Sequence, residues 1–231
     1  MKAIGLILVF LEISSFAFGQ NLNTREQDVI FRKHLVRALS LKDPRNVEIF
    51  GENAVLPEIL LNAVEKGDLL AYKDRSCNEK ILRDEILAKV IMSDEDTVGF
   101  IFPHSLKEIE LGEDIIFDKH RSEFTFQQKY IALIIPQSAN YRGLTEALAY
   151  FKYTDCIKIF HQDERAYSLS FSGVKVPFND LFLTHSYKSY IVKIGNGNYF
   201  DQVYPNPSKA FIAAKHQENM LNDYLYKFFN P

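Results

Sequence analysis

Apolar residues along this chain fall into blocks whose spacing shifts from helical to extended and back. Near the start, Phe31, Leu35, Ala38 and Leu39 share one helical face, and Thr24-Arg25-Glu26-Gln27 has capping-box spacing. A helix is therefore predicted from about Thr24 to Asp43, where Pro44 cannot continue it. A second helix opens at Pro57, carries Ile59, Leu60, Ala63 and Val64, and ends at Gly67. Leu69 to Tyr72 reads as a short strand, Leu82, Ile86 and Val90 as a short helix, and Val98 to Phe102 as a strand stopped by Pro103.

The middle of the chain turns extended. Phe124, Phe126, Tyr130, Ala132 and Ile134 occupy even positions between Ser122 and Pro136, which predicts a long strand with one face on a core. Gln128 breaks the series and predicts a bend or bulge. Ala147 to Tyr153 and Ala166 to Phe171 are further strands, and Pro177 to Tyr187 is a helix with Asn179-Asp180 near its start. Tyr190 to Ile194 is extended, followed by a sharp turn at Gly195-Asn196-Gly197-Asn198. The tail is helical: Asn206 caps, Pro207 takes the first position, and Phe211, Ala214, Leu221, Leu225 and Phe228 form a stripe. That stripe is either core packing or a docking face for a neighbouring subunit. The sum is an α+β domain spanning 20–231, a central mixed or antiparallel sheet flanked by helices, with a long C-terminal helix at about 206–229.

Residues 1–19 have a different character. A weakly basic start, an apolar run from Ile4 to Phe18 and the small-large-small Ala17-Phe18-Gly19 read as a signal peptide cleaved near Gln20. The alternative is an uncleaved N-terminal anchor. Export would place the mature chain outside the cytosol and would permit a Cys77–Cys156 disulfide; two buried free thiols are the other reading. The chain is large and apolar enough (47% hydrophobic) for a real core, and its aromatics are nineteen Phe and twelve Tyr with no Trp, a set that suits sheets and interfaces. A net charge of −3 with both signs interspersed provides no electrostatic footprint for nucleic acid and no basic block for an anionic membrane.

The residues show little sign of catalytic chemistry. Ser172-Gly173-Val174-Lys175 matches Ser-x-x-Lys, but that spacing works on a helical turn, which Gly173, Val174 and Pro177 disfavour. His161 with Asp163 and Glu164 is the nearest approach to a metal cluster and reads more simply as a solvated turn. Ser93-Asp94-Glu95-Asp96 lacks the Gly and terminal Glu of a calcium loop. No catalytic residue, cofactor, metal site or small-molecule substrate is assigned.

The order of segments is more informative. Arg25 to Lys33, the stretch Leu60 to Tyr72, Phe117-Asp118-Lys119-His120-Arg121-Ser122 leading to Ile134-Ile135-Pro136, and Asp180-Leu181-Phe182 followed by Ser189-Tyr190-Ile191 and Asn196 through Tyr204 occur in sequence. In this the chain resembles the GldN/PorN family of periplasmic ring proteins in the type IX secretion and gliding-motility apparatus. It departs from the family in lacking Trp and in reading Leu35-Val36-Arg37-Ala38-Leu39 after the family's opening helix. The resemblance implies a non-catalytic structural subunit in the periplasm, peripheral to the outer membrane. Its partners would be an outer-membrane-associated ring lipoprotein, the periplasmic part of the secretion motor, and further copies within the ring. A periplasmic or secreted peptide-binding module outside the ring, using an exposed strand edge, is the alternative. An envelope hydrolase using Ser172 and Lys175 is a third. Partner contacts are expected at Phe117, Asp118, Arg121, Ser122, Tyr187, Ser189, Tyr190, Asn196, Tyr199 and Asp201. Each also admits a structural role: Arg121 and Asp180 could form ion pairs that hold the fold, and Tyr190 could fill the core.

Overall fold

The computed structural model describes residues 26–51, 55–90, 101–135, 146–169 and 174–229. The proposed signal peptide, Thr24, the Ser93–Asp96 run, most of the expected 98–102 strand, Pro136 and Ser172 lie outside them.

Where a first helix was expected, the chain forms a short 3-10 turn at Glu26–Asp28 and then strand β1, Val29–Ser40. The same correction applies to the opening helix implied by the family resemblance. The reason is visible in burial: adjacent Leu35 and Val36 are both wholly shielded, which suits a strand covered on both faces. An apolar run buried on two sides loses its two-residue alternation and imitates helical spacing.

Five strands make the main sheet, in the order β4-β3-β2-β1-β7, every pair antiparallel. They are β1, β2 (Glu108–Asp118), β3 (Glu123–Ile135), β4 (Glu146–Lys152) and β7 (Tyr190–Ile194). β2, the central strand, was not anticipated, because Glu108, Glu110, Glu113 and Asp114 make it read as surface. β3 follows expectation, including the bulge: pairing steps from Gly112↔Tyr130 to Glu113↔Gln128, leaving Lys129 unmatched. That extra residue reverses the faces. Phe124 and Phe126 join one cluster, while Tyr130 and Ala132 join another on the opposite side. The five even positions therefore do not share one face. Gly112 is required beside the bulge, since a Cβ there would sit 2.0 Å from the Tyr130 ring.

The larger core lies on the face bearing Leu39, Ile109, Leu111, Ile131, Leu133 and Phe151. Against it pack α1 (Pro44–Phe50), α2 (Val55–Lys66), α4 (Tyr153–Gln162) and α5 (Phe178–Leu183). A group of rings joins them: Phe50 lies 5.1 Å from Phe178, and Phe160 packs on both Phe178 and Phe182. α2 ends as predicted at Gly67, whose φ of +83° suits a residue without a Cβ. α3 (Arg83–Leu87) is shorter than its apolar spacing suggested, with Val90 in a bridge to Ile101. Leu69 to Tyr72 contributes bridges at Tyr72 alone, and of the expected Ala166–Phe171 strand the described part holds the short β5 (Tyr167–Leu169), paired with β6 (Lys175–Pro177), while 170 and 171 lie outside the described residues. Lys175 thus starts a strand rather than ending a helical turn.

After β7 come a turn, α6 (Phe200–Val203) and the long α7 (Pro207–Phe229). Asn206 Oδ1 accepts the amides of Ser208 and Lys209, the predicted cap. The α7 stripe divides. Ala214 and Leu221 are buried, Leu221 against Leu35, Ile115 and Ile191, but Phe211 is more than half exposed. Cys77 and Cys156 are buried free thiols, so the disulfide is not formed. Among the described residues no helix is long and apolar enough to cross a membrane.

Candidate functional site

Three of the acidic residues of β2, Glu110, Glu113 and Asp114, sit in the middle of the sheet, and alternation sends them to opposite faces. Glu113 points to the helical side. Its side chain is fully shielded, and it accepts from Arg37 Nε of β1, from His185 Nε2 just after α5 (2.6 Å) and from Gln128 Nε2 of β3 (2.9 Å). Burial alone would raise its pKa; the His185 hydrogen bond and then the Arg37 charge outweigh that and hold the carboxyl below its usual range. Burial likewise opposes the Arg37 charge, and Glu113 more than compensates. Arg37 also reaches Glu218 of α7 at 3.6 Å. One buried carboxylate thus connects three strands' worth of backbone to α5, and through Arg37 to α7.

The local chain around His185 shows why it is there. The Ser186 amide bonds back to Leu181 O and His185 sits at φ +51°, the left-handed helix end that favours glycine. A histidine in that position is strained by roughly 1 kcal/mol or more. The Glu113 contact, and the edge of His185 against Phe126 at 4.5 Å, hold it. An open groove of about 600 Å³ lies alongside, lined by Arg37, Arg45, His185, Tyr187, Lys188 and Glu218. Among the described residues the buried Tyr187 Oη and Gln128 Oε1 have no hydrogen-bond partner. Among the described residues no serine, threonine or cysteine is hydrogen-bonded to His185; its bonded nitrogen faces the carboxylate. As arranged, these residues clamp elements together.

The opposite face holds Glu110 and Asp114. Glu110 accepts from Tyr130 Oη (2.9 Å), Tyr199 Oη (2.7 Å) and Arg75 Nε (2.8 Å). The Arg75 guanidinium lies over the Tyr199 ring at 4.7 Å and the Tyr150 ring at 5.7 Å. Burial, then the Glu110 charge, push the Tyr130 and Tyr199 phenols up. Asp114 pairs with His34 at 2.8 Å and Lys129 at 3.3 Å; burial opposes its charge, but those two partners prevail and lower its pKa.

The residues expected at partner contacts are not gathered in one place. Phe117 and Asp118 end β2, and Arg121 and Ser122 lie in the turn to β3. Phe117 packs on Phe124 at 4.7 Å, and buried Asp118 accepts the amides of His120 and Arg121. Arg121 makes a loose 3.7 Å pair with Glu123, and Ser122 holds φ +54°. Asp180 lies exposed in the first turn of α5. Tyr187 and Ser189 line the groove beside Arg37. Tyr190, Tyr199 and Asp201 come together around a second cavity on the far side of β7, and Asn196 is exposed in the turn between. Tyr190 is 41% exposed, so it does not fill the core. Sequence reasoning missed Glu110, Glu113, Arg37, Arg75 and His185. The one available signal was the unusual density of carboxylates between Ile109 and Ile115. His161 is exposed at the end of α4, and Asp163 is taken by Arg165.

A family model described as "Gliding motility associated protein GldN" matches residues 24–230. No curated protein matches the chain.

Proposed function

The chain belongs to the GldN family of gliding motility associated proteins, and from that membership we propose that it is a non-catalytic structural subunit of a periplasmic ring in the type IX secretion and gliding-motility machinery. It works by protein–protein contact after export and removal of residues 1–19. The proposed partners are an outer-membrane-associated lipoprotein, the periplasmic part of the motor, and further copies of the chain through unlike faces, as closed rings require. The β2–β3 turn and the segment from Tyr187 to Asp201 remain the candidate contacts.

The observation that carries this reading is the outer side of α7. Ile212, Met220 and Tyr226 are each more than half exposed on this helix, Tyr224 is 44% exposed, and Phe211, which also borders Tyr190, is 56% exposed. A large apolar surface of this kind marks a contact with another protein more often than an idle face. Glu110, Glu113 and Asp114 inside the sheet, by contrast, are already paired with Arg75, Arg37, His185, His34 and Lys129.

Co-expression with the envelope lipoprotein, followed by size-exclusion chromatography, tests the proposal. A large co-eluting assembly is expected, and Phe211→Ser with Ile212→Ser should reduce it. A chain that stays monomeric with every envelope partner would overturn the ring assignment.

A further inference from the structure

A cavity of about 440 Å³ lies between β7, α6 and the first turns of α7, and its chemistry is one-sided. The charged residues lining it are all carboxylates: Glu108, Glu110 and Asp201. Four aromatic rings, Tyr190, Tyr199, Phe200 and Phe211, supply its walls, with Tyr190 and Phe211 at 6.2 Å and a steep 68° angle. Ala38, Ala210 and Ala214 keep it open where longer side chains would fill it.

Glu110 is saturated by Arg75, Tyr130 and Tyr199. Glu108 accepts one bond from Ser40 at 2.9 Å, and Asp201 one from the Gln202 amide at 2.9 Å. Among the described residues each keeps a second carboxylate oxygen for an incoming donor. Burial pushes the Glu108 carboxyl up, opposed by Ser40 and by Lys42 from outside the cavity, as for an acid short of a counter-charge. Burial, then Glu108 and Asp201, also push the Tyr190 phenol up, so both carboxylates act on that ring.

The protein already shows how such a combination is used. Next door, Arg75 lies on the Tyr199 face with a Glu110 oxygen 2.8 Å from its Nε. Tyr190, Glu108 and Asp201 offer the same pairing of ring and carboxylate a second time, with no basic residue in the lining to take it. Lys193 approaches only the Tyr199 ring, at 5.4 Å. We infer that this cavity receives a single basic side chain, a lysine or arginine, presented by a partner polypeptide. Its aliphatic stem runs along the alanines and rings, and its charge ends at Glu108 and Asp201.

The test uses the purified chain and does not depend on ring assembly. N-acetyl-lysine amide, N-acetyl-arginine amide and the neutral N-acetyl-norleucine amide are titrated against it while the aromatic NMR signals are followed. The two cations are expected to shift Tyr190, Tyr199 and Phe211 saturably, and norleucine is not. Glu108→Gln with Asp201→Asn should weaken the cations about tenfold or more. Ala210→Leu, which fills the space and keeps both charges, should abolish binding. Equal binding of norleucine, unsaturable or scattered shifts, or unchanged affinity in the charge variant would each overturn the assignment.

Discussion

Replacing Arg37 by methionine puts the buried clamp under direct test. The substitution keeps an aliphatic stem and removes the charge that faces Glu113, a carboxylate with no solvent exposure. His185 and Gln128 remain, so the group is not wholly abandoned. Removing one partner of a buried ion pair costs about 3–5 kcal/mol, mostly because the other charge is orphaned. With denaturant slopes of about 2–3 kcal/mol per molar urea for a domain of this size, the midpoint should fall by about 1–2 M at pH 7. The pH dependence carries a sign. Glu113 is held below its ordinary pKa, so in the parent its contribution is present above the unfolded value of about 4.3 and is lost as pH falls through the lower folded value. In R37M the folded pKa moves up, and proton uptake relieves the orphaned charge. The gap between parent and variant should therefore narrow from pH 7 to pH 4. Urea unfolding followed by circular dichroism at both values measures it. Arg37→Met with Glu113→Gln should recover much of the loss. A midpoint at pH 7 within about 0.3 M of the parent, or a gap that ignores pH, would refute the clamp.

Three further outcomes are expected. Gly112→Ala places a Cβ 2.0 Å from Cε1 of a Tyr130 ring fixed by Glu110, so thermal unfolding should show a loss of about 3 kcal/mol or a failure to fold. Asn46, fully buried, donates to Ser40 O and Lys188 O and accepts the Lys188 amide; Asn46→Ala should cost about 2–3 kcal/mol in chemical denaturation by orphaning those groups. Burial raises the pKa of both thiols, so Cys77 and Cys156 should resist an aromatic disulfide reagent in the native protein and react once it is unfolded in urea.

Elements whose ends carry local chemistry were legible in the sequence. Gly67 closes α2, although the helix already runs from Val55, two residues ahead of the Pro57 start that the sequence suggested; Asn206-Pro207 opens α7, and Gln128 marks the bulge. The two strands at the heart of the sheet were not. β1 is shielded on both faces at adjacent Leu35 and Val36, which blurs the alternation that identifies a strand. β2 is acidic, and its neutralising partners are remote: Arg75, His185, Arg37, His34 and Tyr199 come from 35 to 89 positions away. Carboxylates whose counter-charges arrive only through tertiary pairing cannot be told from a solvated stretch by spacing alone. For the same reason the residues that line the two cavities were only half anticipated. Tyr187, Tyr190, Tyr199 and Asp201 lie within one local segment, whereas Glu108 and Arg37 were brought to them by the fold.

The treatment of the sheet's two borders limits how another polypeptide can attach. At one margin β7 is short, irregular in register and overlain by α7; at the other, Tyr72 exchanges two backbone hydrogen bonds with Tyr150 and occupies the middle of β4. Continuous main-chain zippering along either rim is thus interrupted among the described residues. Under the proposed role, a neighbour would meet side chains rather than a strand rim, and could tilt without breaking a hydrogen-bonded ladder. A contact of that kind can follow changes in curvature that a shared sheet would resist.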